Sequence, residues 1–115
     1  MADTEIYWDG QSGKEYPYWI HRIGTYFDDE PGNYIYAKEV EPGSWVALYI
    51  GHTPSLQDHL ADAEKEACAK RNGATHVHVH TTPGGESRQA AEAADLIARW
   101  QPACNDRGEP AEDPA

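Results

Sequence analysis

Cysteine is nearly missing from this chain of 115 residues: only Cys68 and Cys104 occur, and no C-x-x-C pairs them. So sparse a set argues against a disulfide framework and predicts two reduced thiols in a cytoplasmic protein. Cys68, between Ala67 and Ala69, reads as a small packing residue, and so does Cys104. Long apolar runs are missing too. No apolar stretch reaches the length of a membrane span, and the first twenty residues carry Asp3, Glu5, Asp9 and Glu15 instead of a basic start and an apolar block. Neither a membrane span nor a secretory leader is expected.

Basic residues are few: nine Lys and Arg stand against twenty Asp and Glu, a formal net charge of −11. From Ile6 to Asn105 there are still fourteen acids against eight bases, so the acidity belongs to the body of the chain. Binding to a phosphate backbone draws mainly on Lys and Arg, and this balance opposes it. Also missing are G-x-S-x-G, G-x-x-x-x-G-K-[ST] and G-x-G-x-x-G, which leaves serine-hydrolase, P-loop and dinucleotide readings without support. Gly84-Gly85 ahead of a helix is a turn first and an anion site only weakly.

What the chain does have is aromatic residues, four Trp and seven Tyr with one Phe. They cluster early, in Tyr7, Trp8, Tyr16, Tyr18, Trp19, Tyr26 and Phe27, with only Lys14 and Arg22 beside them. A base-stacking platform sits in a basic groove, so extra strands or a protein-contact surface are the better expectations. Glu5 to Trp8 and Tyr16 to Ile23 read as a hairpin turned at Asp9-Gly10 and Ser12-Gly13. Pro17 belongs at a strand start or edge. A second hairpin follows, with Tyr34, Tyr36 and Lys38 on one face and Ile35 and Ala37 on the other, a turn at Glu41-Pro42-Gly43-Ser44, and the apolar run Trp45 to Ile50, which lacks alternation and so predicts cover on both faces.

Thr53 or Ser55 caps a helix whose apolar stripe is Leu56, Leu60, Ala63 and Ala67, with Glu66 and Lys70 four apart and Asn72-Gly73 as the stop. Thr75 to Thr81 predicts a strand with His76, His78 and His80 on one face and Val77 and Val79 on the other. Glu86 to Trp100 predicts a helix with the stripe Ala93, Ile97 and Trp100, and Pro102 to Asn105 a short irregular return. The fold class is α+β, a small central sheet with flanking helices. Three parts follow: a β-hairpin extension over 1–31, a body over 32–105, and a disordered acidic tail over 106–115.

Gly32-Asn33-Tyr34, then Tyr49-Ile50-Gly51, then a helix, a strand, and a helix carrying Leu96-Ile97 ahead of Pro102 and Asn105 resemble the GIY-YIG nuclease superfamily. The likeness covers Gly32 to Asn105. It implies a three-stranded sheet flanked by helices and cleavage of DNA phosphodiesters with Mg²⁺ or Mn²⁺. The site residues it implies are Tyr34 and Tyr49, which activate or position water, and Asn105, which supports the site. The arginine expected on the first helix is His59, which lacks a guanidinium's two-pronged fork. The metal-holding glutamate is expected at Ala93. Glu92 adjoins it, turned about 100° around a helix. The resemblance therefore implies a degenerate nuclease with weak or lost activity, or a non-catalytic module that binds a protein or nucleic-acid partner. A third reading places a metal on His76, His78 and His80 with Glu86 nearby, against the plain alternative of three wet histidines. Nothing in the sequence fixes an oligomeric state.

Overall fold

The computed structural model describes residues 5–23, 27, 29–59, 63–81 and 84–105. The acidic tail expected over 106–115 lies outside them. Five strands, β1 (Glu5–Asp9), β2 (Glu15–Arg22), β3 (Gly32–Glu41), β4 (Ser44–Thr53) and β5 (His76–His80), form one antiparallel sheet in the order β1-β2-β5-β3-β4. Among the described residues the helical segments are α1 (Leu56–His59), α2 (Ala63–Arg71) and α3 (Gly85–Trp100). The chain is thus α+β, with both expected hairpins in place. None of the described helices is long and apolar enough to cross a membrane.

Strand alternation gives the sheet two buried faces. On one, Trp8, Tyr18, Ile35, Ala37, Ala47 and Ile50 pack with Ala93 and Leu96 of α3. On the other, Tyr34, Tyr36, Leu48, Val77 and Val79 pack with Leu56 and Ala69. The run Trp45 to Ile50 serves both faces: Ala47 and Ile50 join one core and Leu48 the other, and the register slip between Tyr36 and Ala37 puts Leu48 and Tyr49, neighbours in sequence, against the same core. Pro17 sits opposite Tyr7 before the β2–β5 pairing begins at Trp19, where the strand has one neighbour and a missing N–H costs nothing.

Two expectations are corrected. Of the helical stripe Leu56, Leu60, Ala63 and Ala67, Leu56 is buried but Ala67 is exposed and Ala69 takes the buried position, while Leu60 and the Ala63 side chain lie outside the described residues. The cysteines are not free thiols but the disulfide Cys68–Cys104. A 3-10 turn, Ala103–Asn105, brings Cys104 back against the last turns of α2, a long-range approach that cysteine count cannot foretell. The stop at Asn72-Gly73 holds, with Gly73 at φ +102, and Lys70 pairs with Glu66 at 3.1 Å.

Candidate functional site

The two motif tyrosines lie on neighbouring strands and the same face, their ring centroids 5.8 Å apart. Tyr34 is wholly buried, its ring lying over Gly51, where a Cβ would come within 2.6 Å of the hydroxyl. Both motif glycines are explained by packing, since a Cβ on Gly32 would meet the His80 carbonyl at 2.6 Å. The structure thus brings Tyr34 and Tyr49 together beside α1. His59 belongs to α1 (Leu56–His59), and its side chain lies outside the described residues.

The remaining positions lie across the sheet or at its rim. Ala93 is 4 % exposed in the core under α3, so a longer acid there would displace apolar contacts. Glu92 points into the sheet, 5 % exposed, and accepts hydrogen bonds from the Tyr18 hydroxyl at 2.7 Å and pairs with His80 Nδ1 at 3.0 Å. Burial first, and then the adjacent Glu92 charge, push the Tyr18 phenol well above its ordinary value, so it stays a donor. Asn105 is a clamp: its amide oxygen accepts the Ile50 N–H at 2.7 Å and its amide donates to the Ile50 carbonyl at 2.9 Å, capping the open edge of β4.

These residues do not fit a divalent-cation centre. Glu92 is committed to two protein partners on the face opposite Tyr34, and among the described residues no group of three or more His, Cys, Asp or Glu could hold a metal ion.

His76, His78 and His80 share one face as expected, yet that face is not wet. His78 is fully buried, and its Nδ1 accepts the Trp8 indole N–H at 3.0 Å, which leaves the ring hydrogen on Nε2. Burial, then the charges of His76 and His21, lower its pKa to about 3, so it is a neutral imidazole. His76 pairs with the Thr75 hydroxyl at 2.7 Å and His80 with Glu92, so the three rings turn to three different partners.

The same histidines back a feature that the motifs did not indicate. Trp8, Trp45 and Trp100, with Ile6, Asp9 and Gly43, line an open cleft of about 190 Å³. Trp8 and Trp100 meet edge to face at 5.4 Å, and Trp45 stands edge to face on His78 at 4.7 Å and on His76 at 5.0 Å. The Trp100 N–H donates to the Asp9 carbonyl at 2.7 Å. The sequence signal was the excess of tryptophan, but β1, β4 and α3 bring these rings from three distant segments. No protein-family model, curated protein or solved structure matches this chain.

Proposed function

We propose that this is a domain of the GIY-YIG type that has given up phosphodiester cleavage and works as a non-catalytic binding module. The order β5-β3-β4, with helices between β4 and β5 and after β5, supports that kind of fold. The observation that carries the loss of chemistry is Tyr34, which is 0 % exposed while Glu92 lies buried on the other face of the sheet. A water-positioning hydroxyl and a metal-holding carboxylate must meet at one phosphate to act on it. The acidic body, net −11 over the whole chain, also favours a partner other than DNA.

Incubation with duplex, single-stranded and branched DNA in Mg²⁺ or Mn²⁺ tests this reading. The expected outcome is intact DNA. Cleavage that disappears in Tyr34→Phe would overturn it and return the nuclease role, with its divalent cation, to Tyr34, Tyr49, His59 and Asn105.

A further inference from the structure

We infer that the outer face of the β1–β2 hairpin docks a short arginine-bearing segment of a partner protein, an inference that rests on the binding-module reading and names the kind of partner. Strand alternation turns Trp8 and Tyr18 into the core under α3, and it turns Glu5, Tyr7 and Asp9, with Glu15, Pro17 and Trp19, to the opposite face. There the register sets Glu5 opposite Trp19, Tyr7 opposite Pro17 and Asp9 opposite Glu15. Further along the same face, Val79, which lies opposite Trp19 in β5, joins the core that Leu56 and Ala69 cover. Over the hairpin that cover stops: Tyr7 is 57 % and Trp19 48 % exposed, and they belong to neither core. Trp19 is the more telling of the two, because β2 is an inner strand, between β1 and β5.

Charge and size select the occupant. Glu5, Asp9 and Glu15 are exposed, and no ion pair neutralises them among the described residues. His21, which shares this face, has its pKa lowered by burial and is neutral at pH 7. Asp9 and Glu15 stand directly opposite each other, an arrangement that like charge disfavours until a cation lies between them. A phosphate backbone is repelled here, and a second copy of the chain would set these carboxylates against their like. Two half-exposed rings and a proline also fall well short of the roughly 800 Å² a side that a stable protein interface buries, so the area suits a short segment. A guanidinium can stack on the Trp19 or Tyr7 ring while its fork reaches a carboxylate, with Glu5 placed beside Trp19 to receive it. A lysine ammonium is more strongly hydrated and has no fork.

Fluorescence anisotropy of a labelled peptide of alternating arginine and glycine, titrated with the full chain at physiological salt, tests the inference. The controls are the same peptide with lysine and with citrulline, the uncharged isostere of arginine. Saturable binding of the arginine peptide is expected, with the lysine peptide several-fold weaker and the citrulline peptide not saturating. Trp19→Ala should weaken binding about fivefold, and Glu5→Gln several-fold, both at exposed positions and with an unchanged thermal midpoint. Glu86→Gln removes the same charge from an exposed position in α3 and should leave the affinity as it is. Any of four results overturns the inference: no saturable binding of the arginine peptide, equal affinity for the citrulline peptide, full affinity in Trp19→Ala and Glu5→Gln together, or a loss in Glu86→Gln as large as in Glu5→Gln, which would reduce the binding to net charge. Self-association or binding of single-stranded DNA that Trp19→Ala abolishes would overturn it too, by giving the face to another occupant. DNA cleavage would sink the non-catalytic reading while leaving these titrations as they are, so the two failures are distinguishable.

Discussion

His78 shows how one buried side chain sets a property of the whole chain. Folded, it stays neutral until the pH approaches about 3, whereas an unfolded imidazole protonates below about 6.5. The unfolded state therefore binds the extra proton as the pH falls, and stability present above pH 6.5 is lost on the way down towards 3. One such group costs about 2 kcal/mol between pH 7.5 and 5. Burial lowers the His21 pKa too, and its contribution has the same sign. Urea midpoints at the two pH values should show this loss, and His78→Gln, whose amide oxygen can still accept the Trp8 N–H, should lose most of the difference. An undiminished difference in that variant would place the titration elsewhere. Gly51 is constrained in another way. A Cβ there would meet Tyr34 at 2.6 and 2.7 Å and Tyr49 at 2.9 Å, and Tyr34 has no room to yield. Gly51→Ala should cost about 1 to 3 kcal/mol in chemical denaturation, the usual range for overpacking, and an unchanged midpoint would show that the rings rearrange freely.

At the scale of elements, the local patterns were legible and the choice of partners was not. Alternation at Tyr34, Ile35, Tyr36 and Ala37, and again at His76 to His80, set the faces of β3 and β5 correctly because a strand's period is fixed by its own backbone. Nothing in those residues says that β5 inserts between β2 and β3, which is decided by contacts between segments far apart in sequence. Asn105 was legible as a motif position, but its work as a clamp on Ile50 depends on a return that the disulfide secures. Cys68 and Cys104 are separated by 36 positions, a closure that stabilises a fold by about 3 to 4 kcal/mol through the unfolded chain. Reduction, or the pair Cys68→Ser with Cys104→Ser, should lower the thermal midpoint accordingly. Asn105→Ala in the oxidised protein should cost less, about 1 to 2 kcal/mol for two hydrogen bonds at a partly exposed edge. If Asn105→Ala proves the costlier change, the clamp and not the covalent tie holds β4.

At the scale of the whole molecule, the N-terminal hairpin does much of what a separate extension would not. Its Trp8 and Tyr18 are 3 % and 0 % exposed in the core under α3, and they supply the hydrogen bonds to His78 and Glu92. Its turn is held from the same helix: Ser12 donates its N–H and its hydroxyl to the Asp95 carboxylate at 2.8 and 2.6 Å, and Tyr16 adds a third bond at 2.8 Å. Those bonds, that of the Ser12 side chain foremost, hold the Asp95 carboxyl below its ordinary pKa. Take β1 and β2 away, and β5 becomes an open edge while Glu92 and His78 lose partners and one wall of their core. Losing a buried Trp and a buried Tyr costs about 1.5 to 3 kcal/mol for each side chain, and the broken hydrogen bonds about 1 kcal/mol each, a large share of the 5 to 15 kcal/mol that is about the whole stability of a small domain. A fragment of residues 24–115, which keeps every residue of the nuclease-like motif, should therefore show no cooperative thermal transition and a collapsed spread of amide proton shifts. A folded fragment with a sharp transition would mean instead that β3, β4 and β5 with α3 form a self-sufficient unit on which the hairpin merely rests.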